Sequence, residues 1–173
     1  QSTNTDAKVK NMEEEIEPQV LEKKTFLGFK FGFPRDTAQI HILNLAVDSI
    51  VDYRENDGFY YNLAVDDVEE IVPMRISLKF TDDDKLYEIK LSTDKWIKGG
   101  TSKLGQGIEK LYSEKYGKSS YKDGERFWIW NGQMIATDQS IGNTYIRYEF
   151  VPIVDSVKHA LDSIKALELE KTK

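Results

Sequence analysis

Glu125-Arg126-Phe127-Trp128-Ile129-Trp130-Asn131-Gly132-Gln133-Met134-Ile135-Ala136-Thr137-Asp138 reads as two strands folded back on each other. Asn131-Gly132 is the dipeptide that a two-residue hairpin turn favours, because both central positions need left-handed backbone. With that turn, Trp128 faces Ile135 and Ile129 faces Met134 across the ladder. Ile141-Gly142-Asn143 reverses the chain again, and Tyr145 to Val151 supplies a third strand with Ile146, Tyr148 and Phe150 on one face. Successive side chains of a strand alternate between its faces. Phe127 and Ile129 therefore share one face of the first strand, and Trp128 and Trp130 the other, so both are bulky and apolar.

The same grammar occurs earlier in the chain. Met74, Ile76, Leu78 and Phe80 alternate with Arg75, Ser77 and Lys79, the pattern of a half-buried strand. Asp82, Asp83 and Asp84 make a reversal, and Lys85 to Ser92 returns with Tyr87, Ile89 and Leu91 against Glu88 and Lys90. Upstream, Asn56-Asp57-Gly58 is a turn signal that leads into a strand over Phe59 to Val65. Phe29, Phe31 and Phe33 alternate at strand period, and Pro34 ends that strand. Asp36 is the expected N-cap of a helix striped by Ile40, Leu43, Val47, Ile50 and Val51.

Trp96 to Ser102, with Gly99 and Gly100, reads as a link. Leu104, Ile108, Leu111 and Tyr112 then stripe a second helix that stops at Tyr116-Gly117, where glycine takes the left-handed closing conformation. Past Pro152, residues Val154, Val157, Leu161, Ile164 and Leu167 mark a C-terminal helix over 153–170 whose charged end frays. The expectation is an α+β fold: tandem helix-plus-antiparallel-strand units forming one sheet with helices packed on one side. The units span 26–93 and 103–151 of a single domain, 25–173. Residues 1–24 read as a polar tether with Glu13, Glu14, Glu15 and Glu17 clustered, although Val9, Met12, Ile16 and Val20 could stripe a short helix.

The chain has 173 residues, 39% hydrophobic and 31% charged, with mean hydropathy -0.55. These values suit a packed interior and a solvated surface. No apolar run approaches the ~20 residues that a membrane-crossing helix needs. A net charge of -6, with lysines scattered among acids, argues against nucleic acid as a partner. The absence of cysteine excludes disulfides, thiolate metal sites and cysteine nucleophiles. The sequence opens at Gln1 rather than Met, which a signal peptide removed just upstream would explain. Secretion or a periplasmic location, with a lipid anchor upstream of Gln1 as a variant, is the corresponding expectation.

Three segments carry a resemblance: Phe26-Leu27-Gly28-Phe29-Lys30-Phe31-Gly32, Glu114-Lys115-Tyr116-Gly117-Lys118, and Arg126-Phe127-Trp128-Ile129-Trp130-Asn131-Gly132. They are similar to uncharacterised small secreted or lipid-anchored proteins of gut Bacteroidetes, which open with a "FxGxxxG" strand, end a middle helix in "KYGK/P" and follow it with a tryptophan hairpin. The layout resembles tandem αβββ modules of the β-lactamase-inhibitor-protein type and the small lipoproteins of outer-membrane assembly. The resemblance covers roughly Phe26 to Val151. It implies a fold and an envelope location, and brings no catalytic residue to map.

Side chains suited to catalysis are sparse. His41 and His159 both fall within predicted helices, and no Gly-x-Ser-x-Gly elbow accompanies them. Asp82, Asp83 and Asp84 offer oxygens, but a calcium site wants six or more, and the glycine and glutamate of an EF-hand loop do not follow. Asp66, Asp67, Glu69 and Glu70 form a second acidic loop, with no apolar pocket signal around it to raise a carboxyl pKa for hydrolysis. Gly99-Gly100-Thr101 and Gly105-Gln106-Gly107 match neither a P-loop nor a dinucleotide fingerprint. No cofactor or metal is called for.

The tryptophan hairpin is the candidate site. If Phe127, Ile129 and Met134 are core, Trp128 and Trp130 lie outside beside Tyr145, Arg147 and Glu149. The opposite reading buries the tryptophans. Trp, Tyr and Arg dominate interface hot spots, so Trp128, Trp130, Tyr145 and Arg147 are the expected binding residues of a non-catalytic secreted or envelope module that meets a protein. The alternative is a glycan or small-molecule binder that stacks its ligand on the same tryptophans, and a carboxylate-based hydrolase comes third.

Overall fold

The computed structural model of the chain describes residues 25–66, 68–93, 101–130, 133–140 and 143–151. The expected tether, the glycine link with Trp96, the Asn131-Gly132 turn, Asp67 and the helix over 153–170 lie outside the described residues. The fold is mixed α/β and mostly sheet: a single antiparallel sheet of eight strands, with two α-helices among the described residues.

The phenylalanine ladder is not a strand. Phe26–Gly28 is a short 3-10 turn in which Leu27 (φ 52) and Gly28 (φ 79) adopt left-handed backbone. The segment after it touches the sheet through an isolated bridge between Pro34 and Lys85. His41 accounts for the departure: its Nε2 donates to the Leu27 carbonyl at 3.0 Å, and its ring lies edge-on to Phe29, with centroids 4.6 Å apart. The segment's backbone contact with the strand Leu86–Thr93 is short: Gly32 N–H donates to the Leu86 carbonyl at 2.8 Å, and Leu86 N–H to the Phe33 carbonyl at 2.9 Å. Phe29 and Phe31 are nonetheless fully buried.

Helix α1, Arg35–Val47, starts directly after Pro34, so Asp36 falls in its first turn and not at the N-cap. There its carboxylate still favours the positive end of the helix dipole. The buried stripe is Ala38, Ile42 and Leu45, while Ile40, Leu43, Val47 and Ile50 are exposed and only Val51 of the expected set is buried. The helix is apolar on two sides, and periodicity alone could not choose between them.

Strands β1 (Asp52–Arg54), β2 (Gly58–Leu63), β3 (Val72–Phe80) and β4 (Leu86–Thr93) follow as a meander. Helix α2, Thr101–Tyr116, buries Leu104, Ile108 and Tyr112 and leaves Leu111 exposed. It ends as its sequence predicts, with Gly117 at φ 88 and its N–H bonded to the Ser113 carbonyl. Gly107 lies buried within α2. A Cβ there would come within 3.0 Å of the Val65 side chain. Strands β5 (Ser120–Lys122), β6 (Glu125–Trp130), β7 (Gln133–Ser140) and β8 (Asn143–Phe150) complete the sheet. Its order is β1-β2-β3-β4-β8-β7-β6-β5, so β4 and β8 meet in the middle and the three-residue strands β1 and β5 lie at the edges.

Directly paired residues share a face of the sheet. Leu78, Ile89, Tyr148, Ile135 and Trp128 form one row across it, and Ile76, Leu91 and Ile146 form the next. These rows join Phe29, Phe31 and the buried residues of both helices in one hydrophobic cluster. Each fully buried Leu or Ile in it contributes roughly 1.5–3 kcal/mol relative to exposure. Phe31 stacks on Phe150 with centroids 5.7 Å apart, bringing the end of β8 close to the segment that enters α1.

Candidate binding face

The register places a different population on the other face of the sheet. One row reads Lys79, Glu88, Glu149, Met134 and Ile129 across β3, β4, β8, β7 and β6. The next reads Ser77, Lys90, Arg147, Ala136 and Phe127, and beyond it Ser92 faces Tyr145. Alternation along each strand delivers these side chains, and the β4–β8 pairing assembles them.

Arg147 is the hub. Its guanidinium reaches Glu125 at 3.0 Å and Glu149 at 2.6 Å. Burial pulls its pKa down, but Glu149 and then Glu125 outweigh that and raise it. Two cations approach the ring of Tyr145, Lys90 Nζ at 4.4 Å and the Arg147 guanidinium at 5.6 Å from its centroid. Its hydroxyl donates to Glu125. A cation over an aromatic face is worth ~0.5–1 kcal/mol at an exposed site and more when desolvated.

Glu88 and Glu149 stand directly opposite each other on the two central strands, both buried. Lys79 Nζ lies 3.0 Å from Glu88 Oε1 and donates to Oε2 at 3.1 Å. Burial raises the pKa of Glu149, Arg147 opposes the shift, and both the charge of Glu88 and a hydrogen bond with it raise the pKa further. Like charges held this close favour a proton between them. At the end of that row Ile129 is 67% exposed beside half-buried Met134, an apolar margin to the charged centre.

The structure divides the four expected binding residues. Tyr145 and Arg147 come together on this face. Trp128 does not: only 2% exposed, it packs against Tyr112 with ring centroids 5.6 Å apart, and its indole N–H donates to the Gly117 carbonyl at 3.0 Å. Its polar edge thus finds a partner only on the α2 side, which turns Phe127 and Ile129 outward. Trp130 belongs to β6, but its side chain lies outside the described residues. The pairings of Trp128 with Ile135 and of Ile129 with Met134 are as the turn predicts. Glu88 and Glu125 were not singled out by the sequence, and Ile129, expected in the core where the tryptophans lie outside, is exposed instead. The wet positions of β4 pointed to Glu88, but nothing local pointed to its partner on β8.

On the core side, a cavity of about 330 Å³ opens between the Phe26–Gly28 turn and the end of α2, lined by Thr25, Phe26, Lys115, Tyr116, Gln133 and Tyr148 among others. Thr25 donates to Gln133 Oε1 at 2.7 Å within it. Behind its wall the hydroxyls of Tyr112 and Tyr148 are hydrogen-bonded to each other. The acidic turn has an internal explanation. Asp83 accepts from Thr81, and Asp84 pairs with Arg35 at 2.7 Å.

No family model, curated protein or solved structure matches this chain. No helix among the described residues is long and apolar enough to cross a membrane.

Proposed function

We propose that this protein is a non-catalytic binding module of the cell envelope or the secreted fraction that meets a protein through the polar face of its sheet. The observation that carries this reading is Tyr145, with Lys90 and Arg147 near its ring and its hydroxyl bonded to Glu125, and Ile129 exposed at the margin. Preset aromatic and arginine groups rimmed by charge are what interface hot spots use. Glu88 and Glu149 are each engaged by a cation, Lys79 and Arg147, which favours a structural charge network over a free acid and base. We also infer that the two halves are repeats, each a helix followed by four strands, joined at β4 and β8 with both helices on the core side. This reading keeps the expected tandem design and gives each unit four strands in place of three. Kinship with the envelope proteins of Bacteroidetes rests on the quoted motifs.

The test is partner capture from an envelope extract by the wild-type protein, Tyr145→Ala and Ile129→Glu, with each variant's fold checked by circular dichroism. The expected result is a protein retained by the wild type and lost from both variants. Retention by both variants overturns the reading.

A second reading has its own observation. The 330 Å³ cavity joins the aromatic walls of Phe26, Tyr116 and Tyr148 to the polar ends of Lys115 and Gln133, which suits a small molecule. It replaces the idea of ligand stacking on Trp128, whose ring is buried.

A further inference from the structure

The cavity between the Phe26–Gly28 turn and the end of α2 has an unusual lining group. Gln133 pairs with Trp130 and Phe150 in the sheet, and its side chain joins Phe150 on the core face, only 3% exposed. Its Oε1 accepts from the Thr25 hydroxyl at 2.7 Å, while its amide group has no partner among the described residues. A buried amide donor left unpaired is costly. Its place in the wall of a cavity asks for an acceptor there.

The other polar groups sort the same way. Lys115 lines the cavity with an ammonium that meets the Tyr116 ring at 5.1 Å and no carboxylate among the described residues. The acceptors of the turn are already engaged within the protein. The Thr25 carbonyl takes the Gly28 N–H at 3.3 Å, the Phe26 carbonyl takes the Phe29 N–H at 3.2 Å, and the Leu27 carbonyl takes His41 Nε2 at 3.0 Å. Donors are left over, and one of them is a cation. A matching ligand brings acceptors and a negative charge.

The walls define the rest of it. Phe26 stacks on Tyr148 with centroids 5.1 Å apart, and Tyr116 adds a half-buried ring from α2. Aromatic surfaces of this kind suit a flat aromatic body. At about 330 Å³ the cavity lies at the small end of the ~300–1,000 Å³ range of ligand pockets. Leu27, at φ 52, holds a left-handed backbone that side chains of its type rarely adopt. Strain of this sort gathers at ligand clamps.

We propose that the cavity is a binding site for a small aromatic carboxylate. Lys115 supplies the counter-charge, the Gln133 amide donates to a ligand oxygen, and the ring lies against Phe26 and Tyr116. This inference rests on the second reading above, to which it adds the ligand class, and is independent of the polar face of the sheet.

The test is an NMR titration of the isotope-labelled full chain with benzoate, indole-3-carboxylate, benzamide, benzylamine and hexanoate. Both aromatic acids should move the side-chain amide of Gln133 and the backbone amides of Phe26 and Tyr116, and bind at least about tenfold more tightly than the other three compounds. Lys115→Gln, a change at an exposed position, should weaken the acids about tenfold, as loss of a charged hydrogen bond does, and leave benzamide binding as it was. Benzamide, benzylamine or hexanoate binding as tightly as the acids overturns the proposal and leaves a small-molecule cavity of another class. Acids bound equally well by Lys115→Gln do the same. If no probe moves these signals at millimolar concentration, the reading of the cavity as a small-molecule site falls with the proposal.

Discussion

The indole of Trp128 donates to the main-chain carbonyl of Gly117, tying the middle of β6 to the residue that closes α2. Trp128→Phe removes that hydrogen bond but leaves an aromatic ring in place, and Gly117 is exposed, so water can take up the freed carbonyl. The expected loss is about 1 kcal/mol of unfolding free energy in urea. Trp128→Ala should cost about 3–5 kcal/mol through the cavity it leaves. Acrylamide quenching of the wild type and Trp128→Phe should assign Trp128 a shielded emission component. A freely quenched Trp128 would refute its burial.

Tyr112 and Tyr148 share a hydrogen bond inside the core, and burial is the main reason both pKa values stand above the ordinary tyrosine range. The unfolded chain releases such protons near pH ~10, while the folded chain holds them. Their contribution to stability is therefore fully present below pH ~10 and is lost as pH rises through the folded values. The double variant Tyr112→Phe/Tyr148→Phe should unfold at higher pH than the wild type in an alkaline titration. Tyr148→Phe alone leaves the Tyr112 hydroxyl without its partner and should cost about 1–3 kcal/mol at neutral pH, more than the double variant.

Glu149 keeps its proton to higher pH than the ordinary value of 4.5, because of burial first and Glu88 beyond that, against the opposing pull of Arg147. A raised carboxyl pKa contributes stability that is fully present below the unfolded value and disappears as pH rises through the folded one. Glu149→Gln carries no such proton. Its stability should therefore vary less with pH than that of the wild type across this window, as read from urea midpoints at successive pH values. A wild type that gains stability relative to Glu149→Gln as pH rises would show that Arg147 dominates.

Replacing glycine by alanine within a helix usually stabilises it by about 0.5–1 kcal/mol. Gly107→Ala should do the reverse. The added methyl would sit 3.0 Å from Cβ and Cγ2 of Val65 and 3.1 Å from the Asp66 carbonyl oxygen. The expected loss is about 1–3 kcal/mol, typical of overpacking. The Val65→Ala background should reduce that loss in a double-mutant cycle.

Strands β3, β4, β7 and β8, together with the pairing of Trp128 with Ile135, were legible because each depends on alternation and a nearby turn. The end of α2 was legible for the same reason, since Gly117 closes it locally. Three features depended on distant partners and were not. The buried side of β6 is set by Gly117 and Tyr112. The phenylalanine segment is bent by His41, which lies nearly two turns into the following helix. The charged cluster around Arg147 and Glu149 is assembled because β4 lies beside β8. Tyr145 and Arg147 could be picked out as neighbours on one strand, but nothing near them in sequence specified Lys90 or Glu88 as their companions.

The two outermost strands remain. β1 and β5 hold three residues each, Asp52-Tyr53-Arg54 and Ser120-Tyr121-Lys122, all of them exposed. An open sheet risks templating further strands from other molecules, and short, charged margins deny such strands a template. The longer strands, β2 to β4 and β6 to β8, are each paired on both sides, so their ladders offer nothing to a further strand and only two short rims are left open.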